Sequence, residues 1–214
     1  MNIRKYKSGD QSSVEDIHFK TGFLGKSMSK FLSDNKLYKK QIEFYFEKEA
    51  DNIFVLEDNK KIIGYILGCL DNLNHNEAAK IIFMYLMNSI KNLFSPDGAY
   101  WRRQISNIFK IIFGQSGELK LKTPKNAGSF HINLLEKYRG KGYGTKLFKK
   151  FEKHTKTKGI NEICASGFQT KVNSNTNFWY KNGFKVYSKG KSLIWKHEFP
   201  DEEIYIVSYH KKIK

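Results

Sequence analysis

Short apolar runs broken by polar turns set the rhythm of the first third of the chain. Asn2 to Tyr6 reads as a short strand, and Gly9-Asp10-Gln11-Ser12-Ser13 supplies a turn and an N-cap for a helix running to about Phe23. Val14, Ile17, Phe19 and Phe23 form its inward stripe. Gly25 to Ala50 reads as a second helical region, with Phe31, Leu32, Ile42, Phe44, Tyr45 and Phe46 available to pack. Ile53 to Glu57 and Ile62 to Leu70 are strand-like runs flanking Asp58-Asn59-Lys60-Lys61, the pattern of a β-hairpin.

The pattern changes between Asp71 and Gly128. Glu77 to Phe94 spaces Ile81, Ile82, Tyr85, Leu86, Ile90 and Leu93 as a helix does, Ser95-Pro96-Asp97-Gly98 breaks it, and Tyr100 to Phe113 repeats it with Trp101, Ile105, Ile108 and Ile112. Such a stretch is too apolar to remain a loop in water. Ser129 to Leu135 then reads as a strand, and Thr145 to Lys158 as an amphipathic helix with Leu147, Phe148 and Phe151 inward and its lysines outward. Ile160 to Ser166 is the next strand, parallel to the last, and Asn173 to Asn182 a short helix. In the tail, Leu193-Ile194-Trp195 and Ile204 to Tyr209 are strand-like and fit an antiparallel edge.

With 214 residues and no Pro-, Gly- or Ser-rich divider, the chain reads as one domain over 1–214 with a helical insertion at about 72–127. Hydrophobic content of 40% with 15% aromatics makes it globular, no run is long enough to span a bilayer, and the N-terminus lacks a signal-peptide core. Cys69 and Cys164 lie in apolar runs without metal-ligand spacing, so a buried reduced pair in the cytoplasm is expected. The six histidines show no paired spacing, and no metal is expected. A formal charge of +17 favours an anionic ligand or partner. The lysines are scattered rather than gathered in one arm, so nucleic acid is kept only as a third reading.

The candidate chemistry lies in Tyr138-Arg139-Gly140-Lys141-Gly142-Tyr143-Gly144-Thr145, which follows the strand ending at Leu135 and opens the amphipathic helix. Three glycines at alternate positions free the backbone to turn and expose its N–H groups, and the helix adds its own unpaired N-terminal donors. Such a loop is an anion site. It lacks the spacing of a Walker loop, and Thr145 stands where a dinucleotide fingerprint needs glycine.

Arg139, Gly142 and Gly144 match in full the Arg/Gln-x-x-Gly-x-Gly/Ala acetyl-CoA signature, and the chain resembles the GCN5-related N-acetyltransferase (GNAT) family there. Asn177-Phe178-Trp179-Tyr180-Lys181-Asn182-Gly183-Phe184 resembles that family's Phe-Tyr-x-x-x-Gly-Phe turn, and the hairpin from Val55 to Gly68 its central hairpin. The resemblance covers most of residues 2 to 190. It implies an α/β (α+β) fold whose central, mixed, mostly antiparallel sheet splays at the cofactor strand between flanking helices. Acetyl-CoA would lie in the splay against the backbone of Asn133, Leu134 and Leu135, with its pyrophosphate on the amides from Arg139 through Gly140, Lys141, Gly142, Tyr143 and Gly144 to Thr145. Arg139 could pair with phosphate or with the loop's own carbonyls. Asn173, or else Asn175 or Asn177, is the counterpart of a pantetheine-contacting asparagine.

The implied reaction is acetyl transfer to a primary amine, of a small molecule, by direct attack through a tetrahedral intermediate. The attacking amine must lose a proton, for which His131, Glu136 and Asp71 are candidates, and the oxyanion needs a donor such as the backbone N–H of Leu134 or Leu135. Tyr45 and Asp71 are placed on the acceptor side, and the insertion is either a lid over that side or a homodimer face. One departure stands out: Trp179 occupies the place of the family's acidic tyrosine. Either a local shift lets Tyr180 reach the sulfur, or the thiolate leaves without a side-chain acid, or the protein is a non-catalytic acyl-CoA-binding module.

Overall fold

A computed structural model describes residues 1–70, 83–84, 86–118, 120–170 and 176–213. Its frame is a seven-stranded sheet: β1 (Asn2–Lys5), β2 (Ile53–Asp58), β3 (Lys61–Cys69), β4 (Gly128–Leu134), β5 (Glu162–Gln169), β6 (Lys185–Ser192) and β7 (Ile204–Lys212), in spatial order β1-β2-β3-β4-β5-β7-β6. All pairings are antiparallel except β4 with β5, which is parallel. Asn59 and Lys60, both at positive φ, close the β2-β3 hairpin.

The alternation of strand side chains divides the core between the two faces of the sheet. Phe54, Leu56, Ile66, Phe130 and Leu134 face α5 (Tyr143–Thr157), which contributes Leu147, Phe148 and Phe151, all fully buried. Trp179 of α6 (Thr176–Lys181) and Phe184, just beyond that helix, extend this layer over Val207 and Tyr209. On the opposite face Val55, Tyr65 and Leu67 pack against Val14 and Ile17 of α1 (Gln11–Thr21) and against Ile42. A third cluster joins Phe23, Met28, Phe31 and Tyr38 to Tyr100 and Trp101 of α4 (Gly98–Ile112), with Trp195 and Phe199 at its margin. The described part of the insertion is thereby docked on the irregular segment after α1 and on the tail.

Two expectations are corrected here. The span from Gly25 to Ala50 is not one helical region but a series of turns with the short helices α2 (Lys36–Lys39) and α3 (Glu43–Lys48). Short polar side chains seize the backbone: Ser27 Oγ accepts from the Ser29 amide at 3.1 Å and Asp34 from the Lys36 amide at 2.9 Å, contacts that compete with a continuing helix. Leu193, Ile194 and Trp195 form no strand; the edge strand is the polar β6 just before them, and β7 lies inside it, between β5 and β6. Of the segment expected as a first insertion helix, residues 77–82 and 85 lie outside the described residues; residues 83–84 and 86–91 are helical. Neither Cys69 nor Cys164 is in a disulfide, and both are buried.

Candidate active site

The site begins where β4 and β5 stop being partners. Their pairing is limited to Gly128 with Ile163 and Ser129 with Cys164, while β5 continues to Gln169 held only by β7. From Phe130 onward β4 therefore presents an open edge to a diverging strand. Backbone direction along that edge follows from the other side of β4: the Leu135 amide donates to Ile63 O at 3.0 Å, so by antiparallel alternation His131, Asn133 and Leu135 turn their polar groups toward β3. Ile132 and Leu134 turn theirs into the gap. Of the two amides expected to meet an oxyanion, Leu135 is spent in the sheet and Leu134 is directed into the opening.

The chain then passes through a single 3-10 turn, Glu136–Tyr138, into the glycine loop. Gly140 (φ 71°) and Gly142 (φ 79°) take left-handed conformations, and Gly142 caps α5. A Cβ built on either would touch nothing, so the bend is open above its backbone. Among the described residues, none of the six amides from Gly140 to Thr145 donates to a backbone or side-chain acceptor. Gly144 is the close-packed member: a Cβ there would lie 3.4 Å from Phe178 and 3.7 Å from Leu134. Arg139 Nε donates to the Leu134 carbonyl at the end of β4, at 2.8 Å. Its Nη2 is buried without a partner among the described residues, and burial pulls its pKa down against the pull of Glu136. Six free donors, an open bend and an orphaned guanidinium nitrogen are the donor set that a diphosphate needs.

On the α1 face, beside the open edge, four polar side chains are linked. Asn133 Nδ2 lies 3.0 Å from His131 Nε2 and 3.1 Å from Tyr65 Oη, and Tyr65 Oη lies 3.0 Å from His18 Nδ1. The His18 ring stacks on Tyr38 at 4.6 Å and meets the His131 ring edge-on at 5.4 Å. Burial drives the pKa of His18 down to about 3, with a smaller contribution from His131, and that of His131 down to about 4. Both rings are neutral near pH 7. Tyr65 is raised well above its ordinary value, again by burial, and keeps its proton. His18 and Tyr65 were not singled out in the sequence; a histidine one turn after Val14 on an inward stripe was the available signal.

The remaining expected site residues fall as follows. Glu136 is exposed on the 3-10 turn, away from the buried network. Tyr45 lies on the α1 face near Cys69 and Cys164, where burial raises its pKa. Asp71 and Asn173 lie outside the described residues. Trp179 is 7% exposed, stacked on Tyr209 at 4.7 Å and 5.9 Å from Phe130, so it plugs the α6 side of the gap, while Tyr180 is 55% exposed. No group of three metal-ligating side chains occurs among the described residues, and no described helix is long and apolar enough to cross a membrane.

The sheet, its parallel opening and the loop at its mouth define an acetyltransferase fold. Residues 111–184, which contain β4, the loop and α6, match the model of the acetyltransferase (GNAT) family. Solved structures similar over the whole chain include SsHAT, at 19% identity with a TM-score of 0.63 and 98% of that chain covered. An N-acetyltransferase from Staphylococcus aureus Mu50 is 13% identical with a TM-score of 0.56, covering 100% of this chain and 98% of that one. The putative acetyltransferase yncA from Salmonella typhimurium, solved with its cofactor acetyl-CoA, is 11% identical with a TM-score of 0.57, covering 100% of this chain and 94% of that one. A search of curated proteins found no match. The family model thus matches residues 111–184, and the likeness to these solved structures extends the acetyltransferase fold along the full length of the chain.

Proposed function

We propose that the protein transfers the acetyl group of acetyl-CoA to a primary amine of a small molecule by direct attack through a tetrahedral intermediate. The observation that carries this is an open β4 edge that leads to six amides without a partner among the described residues. The thioester arm pairs with Ile132 and Leu134 as an added strand, and the diphosphate sits on the amides of the glycine loop with Arg139 bracing the loop from below. Asn173 and Thr145 complete the cofactor side. The Leu134 amide faces the acetyl oxygen.

His131 borders the reacting carbon from the α1 face, and the amine approaches from that face past Tyr45; Asp71 is kept as a second acceptor-side residue. The groups facing His131 there, His18, Tyr65 and Asn133, with Tyr38 behind His18, are all uncharged, which suits an acceptor that is a modest base rather than a polycation. Glu136 and solvent water take up the amine's proton, and Tyr180 is the side chain nearest in sequence to an acid for the sulfur. We read residues 1–214 as one cytoplasmic acetyltransferase domain with a helical insertion at about 72–127.

A second reading has its own observation: Trp179, without a dissociable proton, is built into an aromatic stack where an acid would be needed. A non-catalytic acyl-CoA-binding module would look like this. Thermal melts with and without acetyl-CoA, followed by free-thiol release across a panel of amines, divide the readings. No thermal shift removes both; a shift with no thiol release from any amine removes the transferase and keeps the binder.

A further inference from the structure

The polar chain across the α1 face has a direction, and that direction fixes where His131 carries its proton. The two hydrogens of Asn133 Nδ2 are divided between Tyr65 Oη and His131 Nε2. His131 Nε2 must then be an unprotonated acceptor, and the single proton of the neutral ring sits on Nδ1. At the other end the same sense is kept. Tyr65 Oη, already accepting from Asn133, donates its own hydrogen to His18 Nδ1, which leaves the His18 proton on Nε2. That nitrogen has no hydrogen-bond partner among the described residues. Rotating the Asn133 carboxamide would reverse every one of these bonds, so the direction of the chain rests on the Asn133 amide being placed with Nδ2 toward Tyr65 and His131. His131 Nδ1 makes no hydrogen bond among the described residues, and the residue is half-buried.

We propose that His131 is fixed by Asn133 as the Nδ1–H tautomer and meets the acetyl group as a hydrogen-bond donor, not as the acceptor of the amine's proton. Asn133 is a positioning residue, held in turn by Tyr65 and His18. The inference deepens the acetyltransferase reading and rests on it for the identity of the group that Nδ1–H meets. In the step, the amine lone pair forms the N–C bond while the carbonyl π pair moves onto oxygen, toward Nδ1–H and the Leu134 amide. On collapse the C–S bond breaks with its pair on sulfur, and the surplus proton of the nitrogen passes to water. A neutral imidazole donor is suited to this because it gives up no proton and needs none returned.

Two experiments test it. Long-range 1H–15N correlation of 15N-histidine-labelled protein at pH 7, with the His131 signals assigned by their loss in His131→Gln, reads the tautomer directly; an unprotonated Nε2 is expected, and a protonated Nε2 overturns the proposal. In acetyl-transfer assays His131→Gln, which keeps an N–H donor of similar reach but has no basic nitrogen, is expected to hold kcat/KM within about tenfold of wild type, while His131→Ala loses about 100-fold or more. Equal losses in Gln and Ala overturn it. Asn133→Asp offers only acceptors, so it should move the proton to Nε2 and lose activity like His131→Ala; full activity with the proton moved overturns the donor role. If wild-type protein fails to bind acetyl-CoA in a thermal-shift titration, the acetyltransferase reading falls while the tautomer measurement still stands or fails by itself.

Discussion

Substituting Gly142 with alanine separates the strain of the loop from its service to a ligand. Gly142 sits at φ 79° and a Cβ there meets nothing, so the unliganded protein suffers only the left-handed conformation, about 1–2 kcal/mol for an L-residue. In a domain of this size that lowers Tm by roughly 2–8 °C at about 2–4 °C per kcal/mol. The same methyl group stands over the open bend onto which a diphosphate would descend. Wild-type protein at 100 times the dissociation constant of acetyl-CoA gains about 2.7 kcal/mol, a rise of roughly 5–10 °C. If the methyl group weakens binding 100-fold, the gain at the same concentration shrinks to about 0.4 kcal/mol, or roughly 1 °C. Differential scanning fluorimetry of both proteins with and without acetyl-CoA gives all four temperatures. A Gly142→Ala protein that melts lower but keeps the full ligand shift would refute the assignment of the loop amides to the diphosphate.

Three further outcomes follow from the packing and the titrating groups. Gly68→Ala places a Cβ 2.3 Å from Phe151 and 2.9 Å from Asn52 O, in a part of the core where Phe151 is fully buried; a loss of roughly 3 kcal/mol or more in urea unfolding is expected, and a loss under 1 would contradict the geometry. Trp179→Tyr restores a phenol beside the gap at a cost of about 1–2 kcal/mol in packing; kcat should rise about tenfold or more if protonation of the sulfur limits turnover, and an unchanged kcat shows that it does not. His18, neutral in the fold down to about pH 3, titrates near 6.5 when unfolded, so the unfolded state binds the proton first and stability is lost as pH falls from 6.5 toward 3. By pH 5 that is about 2 kcal/mol, and His18→Gln should remove that part of the acid slope in denaturant melts at pH 7 and 5.

What the sequence disclosed, it disclosed through local rules. The β2-β3 hairpin was legible because a polar four-residue turn separates two apolar runs, and the cradle because consecutive amides between a strand and a helix need no distant partner. The broken segment from Gly25 to Ala50 was hidden by apolar residues at helix-compatible spacing; what decided it were the side chains of Ser27 and Asp34 binding nearby amides. β6 carries the sequence KVYSKGKS and buries only Ser192, so no alternation announced it, and its pairing with β7 is a long-range choice. The His18-Tyr65-Asn133-His131 chain draws on α1, β3 and β4, elements whose contact only the folded sheet creates. Trp179 was visible as a departure, and its reason, a stack with Tyr209 from a distant strand, was not.

The brief partnership of β4 and β5 also makes the sheet two plates rather than one. Four strands from β1 to β4 and three from β5 to β6 are joined edge to edge through only Gly128-Ile163 and Ser129-Cys164. An extended guest lying between them would supply the missing rungs, so cofactor binding would rivet the plates together, and hydrogen exchange in β7, which never touches the guest, would slow along with that in β4.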